Sequence, residues 1–101
     1  MASAGETVTG TLVATGGSIV FQPIPNKSFN VWMYGTFVAT LVFQRSFDGG
    51  TTWLTVPKPD LTDASFSGPI NFEVVEARAS TTYRWNVSAY TSGTISYRFA
   101  Q

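Results

Sequence analysis

An all-β fold, a β-sandwich of about eight strands of jelly-roll or Greek-key type, is predicted by three features of this 101-residue sequence. Apolar and polar residues alternate with a period of two along most of the chain, the spacing at which a strand presents its two faces. Threonine, valine and aromatic residues dominate the alternating runs, and such side chains suit a pleated, half-buried surface. Glycine and proline clusters separate the runs at short intervals, and no window sustains a helical period. The length leaves no room for two ordinary domains, so residues 1–101 are expected to form one.

The candidate strands are residues 6–14, 17–23, 28–34, 36–46, 52–57, 69–76, 81–90 and 93–100. The first is rich in threonine and flanked by glycine, and reads as an edge strand open to pairing with another chain. Gly16-Gly17 marks a tight turn before the second. Pro23-Ile24-Pro25-Asn26-Lys27 and Pro57-Lys58-Pro59-Asp60 fall outside any sheet interior, because proline lacks the ladder N–H. Gly35 breaks the run between the third and fourth strands. In the fourth, Phe37, Ala39, Leu41 and Phe43 share one face and Val38, Thr40, Val42 and Gln44 the other. Both faces carry apolar residues, as expected of a central strand covered on each side. Residues 57–68 lack a pattern and read as a loop or an edge excursion. Tyr83, Trp85, Val87 and Ala89 alternate with Arg84, Asn86 and Ser88, and Ile95, Tyr97 and Phe99 repeat the pattern. The short connector Thr91-Ser92-Gly93 makes these last two runs a hairpin. Alternation turns the rings into the core and Arg84 and Arg98 outward, which argues against a stacking platform for single-stranded nucleic acid.

Composition narrows the function. Charged residues are 12% of the chain against 44% hydrophobic and 15% aromatic, the reverse of a disordered segment. Six basic and six acidic side chains cancel, so no field draws in nucleic acid or an anionic membrane. The absence of Cys and His excludes disulfides, thiol nucleophiles and histidine metal sites. No apolar stretch approaches a membrane span, and residues 1–6 have neither the basic start nor the apolar block of a signal peptide. Asn86-Val87-Ser88 fits a glycosylation triplet, with nothing else pointing to secretion. Glu73 and Glu76, three apart in a strand, face opposite sides and cannot work as a pair. Lys27 and Lys58 lie in proline loops, with no Gly-x-Ser-x-Gly elbow in the chain. All four read as solvated surface charge. No catalytic residue, cofactor or metal is expected, and the protein is read as non-enzymatic.

One local motif is sharp. Ser46-Phe47-Asp48-Gly49-Gly50-Thr51-Thr52-Trp53 fits the Ser-x-Asp-x-Gly-x-Thr-Trp pattern of an Asp-box. The Asp48 carboxylate can accept turn N–H groups, Gly49 and Gly50 supply positive φ, and Trp53 can fold over the hairpin base beside aromatics of the preceding strand. Ser46, Asp48, Gly49, Gly50, Thr52 and Trp53 are therefore structural. The box resembles that of sialidases, where it is a folding element away from the active site. A propeller needs at least four blades, and this chain has strands for two at most. A calcium site joining Asp48 to Asp60 or Asp63 is disfavoured, because six to eight oxygen ligands are needed and acids are sparse.

A domain of this size has too small an interior to hide all its rings. Trp32, Tyr34, Val38, Val42 and Tyr90 are the candidate interface, and a homo-oligomer or assembly component is expected. A flat sugar-binding surface using Trp32, Tyr34 and Tyr90, as in a carbohydrate-binding module, is the alternative. Two segments, Leu41 to Trp53 with its Gln-Arg-Ser-x-Asp-Gly-Gly-x-Thr-Trp run and Tyr83 to Gln101 with Ala89-Tyr90-Thr91-Ser92-Gly93-Thr94, resemble small structural proteins of tailed bacteriophages. About a third of the chain carries the likeness. It implies a virion component, in the first place a decoration or cement protein on the capsid exterior, made in the host cytoplasm. The implied partners are the major capsid protein or copies of the chain itself, with neither nucleic acid nor membrane. A tail or head–tail connector component is the other virion role it implies.

Overall fold

The alternation resolves into two antiparallel sheets. The computed structural model describes residues 5–56, 65–66 and 68–101, and among them nine strands run in chain order: β1 (Val8–Leu12), β2 (Gly16–Gly17), β3 (Phe29–Tyr34), β4 (Phe37–Ser46), β5 (Leu54–Thr55), β6 (Ser65–Phe66), β7 (Ile70–Val74), β8 (Thr82–Gly93) and β9 (Ile95–Ala100). One sheet has the order β1-β9-β3-β7; the other has β2-β8-β4-β5, with β6 also on β4. We call them the first and second sheets.

Period-two patterning places the core between the sheets. Phe29, Val31 and Met33 of β3 and Ile95, Tyr97 and Phe99 of β9 are buried from the first sheet; Leu41 and Phe43 of β4 and Tyr83, Trp85 and Val87 of β8 are buried from the second. Their rings meet across the gap. Phe43 lies 5.2 Å from Phe72, 5.3 Å from Tyr83, 5.2 Å from Trp85 and 6.3 Å from Phe99, centroid to centroid. Phe29 meets Tyr83 edge-on at 5.1 Å. Phe21, outside any strand, fills the sandwich beside Phe29 and Phe99. Inner faces of two packed sheets interdigitate in this way, and tilted or offset rings suit the aromatic quadrupole. Arginines alternate outward from these rings, as the periodicity predicts.

The two C-terminal runs do not form a hairpin. β8 pairs with β4 and β2, whereas β9 pairs with β1 and β3, so the chain crosses from one sheet to the other at Thr94. The crossing from β3 to β4 lies against it. Gly35 and Gly93 have φ of 119° and 94°, and the Thr94 N–H donates to the Thr36 carbonyl at 3.1 Å. A Cβ on Gly35 would lie 2.5 Å from the Thr94 oxygen. Both glycines are therefore demanded twice, by left-handed backbone and by close approach. A glycine connector between alternating runs looks the same in sequence whether the chain folds back or changes sheets.

Other boundaries also shift. The expected strand 17–23 is reduced to Gly16–Gly17 plus an isolated bridge from Phe21 to Tyr83. Ser18 causes the break: its Oγ accepts the Trp85 N–H at 2.9 Å, and the Ile19 N–H turns to Tyr97 Oη at 3.1 Å. The expected strand 52–57 shortens to Leu54–Thr55 because Thr52 belongs to the turn. Ser65–Phe66 is an edge excursion on Leu41 and Val42, and the rest of the unpatterned piece, 57–64 and Ser67, lies outside the described residues. The outer face of β4 is not covered throughout: Val38 is exposed and Val42 half-buried.

Candidate functional site

The Asp-box turn joins β4 to β5, a true hairpin with Gln44 opposite Thr55 and Arg45 opposite Leu54. Ser46, fully buried at the end of β4, is its hub. The Ser46 hydroxyl donates to Asp48 Oδ1 at 2.7 Å and accepts the Gly50 N–H at 2.9 Å. The same Oδ1 accepts the N–H groups of Thr52 at 2.8 Å and Thr51 at 3.1 Å. Gly49 and Gly50 take φ of 77° and 96°. The Ser46 hydroxyl and the Asp48, Gly50, Thr51 and Thr52 N–H groups all find their acceptors within the turn. Trp53, half-buried at the end of the turn, meets a cation instead of the aromatics expected: Arg84 Cζ sits 4.3 Å from the ring centre. Arg84 Nε donates to Gln44 Oε1 at 2.9 Å, and burial pushes the guanidinium pKa down.

The Thr52 amide, with the Ser46 and Thr52 hydroxyls, holds the Asp48 carboxyl down at about 2, against an ordinary 3.8. The unfolded chain therefore binds the proton first as pH falls. Stability from this turn is full above about pH 4, and drains away as pH drops toward 2. Asp48→Asn is expected to flatten acid unfolding in that window. Amide exchange at Thr51 and Thr52 will also quicken in this variant, and unchanged exchange there would refute the role given to the carboxylate.

Glu76 is the correction among the charged residues. Its neighbour Glu73 is exposed on β7 as expected, but Glu76 lies past the end of β7 and is buried. Tyr83 Oη donates to its Oε1 at 2.8 Å, the Arg78 N–H donates to Oε2 at 3.0 Å, and Arg45 Nη1 stands 3.9 Å away. Burial, then the hydrogen bond to Glu76, pushes the Tyr83 phenol up to about 12. Arg45 and Arg78 each place a guanidinium about 5 Å from the centre of the Phe47 ring. Its burial continues the alternation of β7: Ile70, Phe72 and Val74 are half-buried, Val75 is exposed, and Glu76 falls on the inward side again. What no local pattern announces is the Tyr83 hydroxyl that meets it there. Its partners neutralise and fix it, so this is a structural network. Among the described residues no three acidic side chains converge to hold a metal, and Asp60 and Asp63 lie outside those residues.

The candidate interface residues fall in separate places. Trp32 and Tyr34 point out of the first sheet at 43% and 50% exposure. Val38 and Val42 belong to the second sheet. Tyr90 packs on the edge of the core and donates its hydroxyl to the Gly93 carbonyl at 2.6 Å, bracing the crossing. Around Trp32 the register brings Arg98 on one side and Asn71 on the other. Asn30 pairs with Glu73 one step along, and Tyr34 with Ser96 one step the other way. A groove of about 530 Å³ opens beside the two rings, over Pro69, Ile70 and Asn71. Apart from Trp32 and Tyr34, the middle of this face is polar.

Sequence reasoning missed a second exposed group. Val13, Ile19, Val20 and Ile24 are all exposed, in the segment that leaves β1, the outermost strand of the first sheet. Among the described residues β1 pairs on one side only, with β9, and it has no charged residue to guard the other edge. Gly10 within it makes room for Tyr97, whose Oη lies 2.5 Å from where a Cβ would be. Compared with protein-family models, curated proteins and solved structures, the chain matches none.

Proposed function

We propose that this protein is a non-enzymatic structural component of a virion, a decoration or cement protein seated on the exterior of a capsid. The observation that carries the reading is the unguarded β1 edge followed by exposed Val13, Ile19, Val20 and Ile24. An uncharged edge beside apolar side chains suits strand addition to a neighbouring subunit, with avidity over a lattice multiplying a modest contact. Strand order supports a jelly-roll reading of the sandwich. From β3 onward the long strands β3, β4, β7, β8 and β9 alternate between sheets, and the first and last strands lie side by side, a wrapping like that of viral shell and lectin domains. The likeness of the Leu41 to Trp53 and Tyr83 to Gln101 segments to phage structural proteins favours the same role. The balanced charge of the chain suits a surface indifferent to packaged DNA.

The test is direct. Mass spectrometry of purified particles is expected to find the protein in a fixed ratio to the shell subunit. Adding purified protein to shells lacking it should restore co-sedimentation. The double variant Val13→Asp, Ile19→Asp should fold normally, because both sites are exposed, and lose at least about tenfold in shell affinity. Absence from the particle, or docking untouched by the two charges, would sink the proposal.

A further inference from the structure

We infer that the outer face of the first sheet is a saccharide-binding strip, built on Trp32 and Tyr34, for extended neutral chains of equatorially substituted hexopyranoses. Residues two apart on a strand lie on one face at roughly 6.6 Å, comparable to the step between successive sugar rings. Equatorial hydroxyls leave axial C–H groups on each ring face, and these stack on an aromatic surface while the hydroxyls radiate sideways. The register supplies partners for them. Asn71 lies directly across from Trp32, and Asn30 and Glu73 form the next pair along; all three are exposed. These offer amide donors and acceptors and a carboxylate acceptor at the flanks of the rings.

Two features fit a sugar better than a protein partner. The rings are bordered by the polar side chains of Asn30, Asn71, Glu73, Ser96 and Arg98, whereas a protein interface keeps a continuous apolar core and a polar rim. Among the described residues, Trp32 is also held by a cation from one side. Arg98, from β9, places its Cζ 5.3 Å from the ring centre, while on the β7 side the groove over Pro69 and Asn71 is open. A ring fixed at one side and free at the other is pre-organised for a flat ligand. The groove is open along the face, which suits the interior of a chain in preference to its terminus. This strip is separate from the β1 edge and from Val13 and Ile19, so it does not depend on the virion reading.

The test titrates the full chain with cellohexaose, laminarihexaose and chitohexaose, neutral β-linked hexopyranoses with equatorial substituents, by calorimetry and tryptophan fluorescence. At least one is expected to bind and to shift the emission of Trp32, the most exposed of the three tryptophans. Trp32→Ala should weaken binding by at least about tenfold and Asn71→Ala by several-fold, with thermal unfolding near that of the parent. Arg98→Gln, which frees the ring, should weaken it less than Trp32→Ala. Failure of all three sugars at millimolar concentration overturns the inference, as does binding indifferent to Trp32→Ala. So does a Trp32→Ala defect confined to shell docking, or preferential capture of a single-stranded oligonucleotide. Loss of shell docking in the Val13→Asp, Ile19→Asp variant with sugar binding retained would separate this strip from the capsid proposal.

Discussion

Phe43→Ala is expected to lower stability by about 3–5 kcal/mol, enough to bring a domain of this size close to its unfolding threshold. Phe43 is about 1% exposed and touches four other rings, from both sheets. Truncation removes the apolar area of the ring and leaves a cavity whose walls are themselves rigid aromatics, which collapse poorly. Phe47, four residues later, is the control. It is exposed on the hairpin between two guanidinium groups, and Phe47→Ala should cost less than about 1 kcal/mol. Urea midpoints with unchanged slopes measure both. Equal losses for the two phenylalanines would contradict the placement of the core.

Glu76→Ala is expected to cost about 2–3 kcal/mol. The change strands the buried Tyr83 hydroxyl, which is the expensive part, because a desolvated donor without an acceptor carries its full penalty. The 3.9 Å contact with Arg45, which is partly exposed, adds little. Tyr83→Phe combined with Glu76→Ala should cost less than the two singly summed, by about 1–2 kcal/mol. The phenol supplies a second readout. Its folded pKa stands near 12 against an ordinary 10, so the folded state keeps the proton after the unfolded state has lost it. Stability from this group is full below about pH 10 and is lost as pH climbs toward 12. Tyr83→Phe should remove that alkaline loss. Additive mutational costs and an unaltered alkaline limb would show that the pair is not coupled.

Local information carried much of this. The Asp-box turn was legible because every partner of Asp48 lies within four residues, so spacing alone defines its hydrogen bonds. The facing of Tyr83, Trp85, Tyr97 and Phe99 was legible because strand alternation is fixed by the backbone. Glu76 was not, since its partners Tyr83 and Arg45 meet it only when the two sheets close. Ser18 was not, because a hydroxyl that replaces a ladder acceptor looks like any other serine in a polar run.

By itself the sequence determined the class of the fold, the chemistry of the β4–β5 turn, and the facing of the long strands up to the bulges of β4 against β8. There Ala89 is exposed and not inward as its alternation predicts. Only the tertiary structure decided which strands are neighbours. It placed β8 and β9 in different sheets, separated Trp32 and Tyr34 from Val38 and Val42, turned Tyr90 to the core, and left β1 at the edge of the first sheet among the described residues. The reason is range: alternation and turn chemistry act over a few bonds. Strand partnership is settled by which distant apolar faces cover one another best, and no single segment contains that comparison.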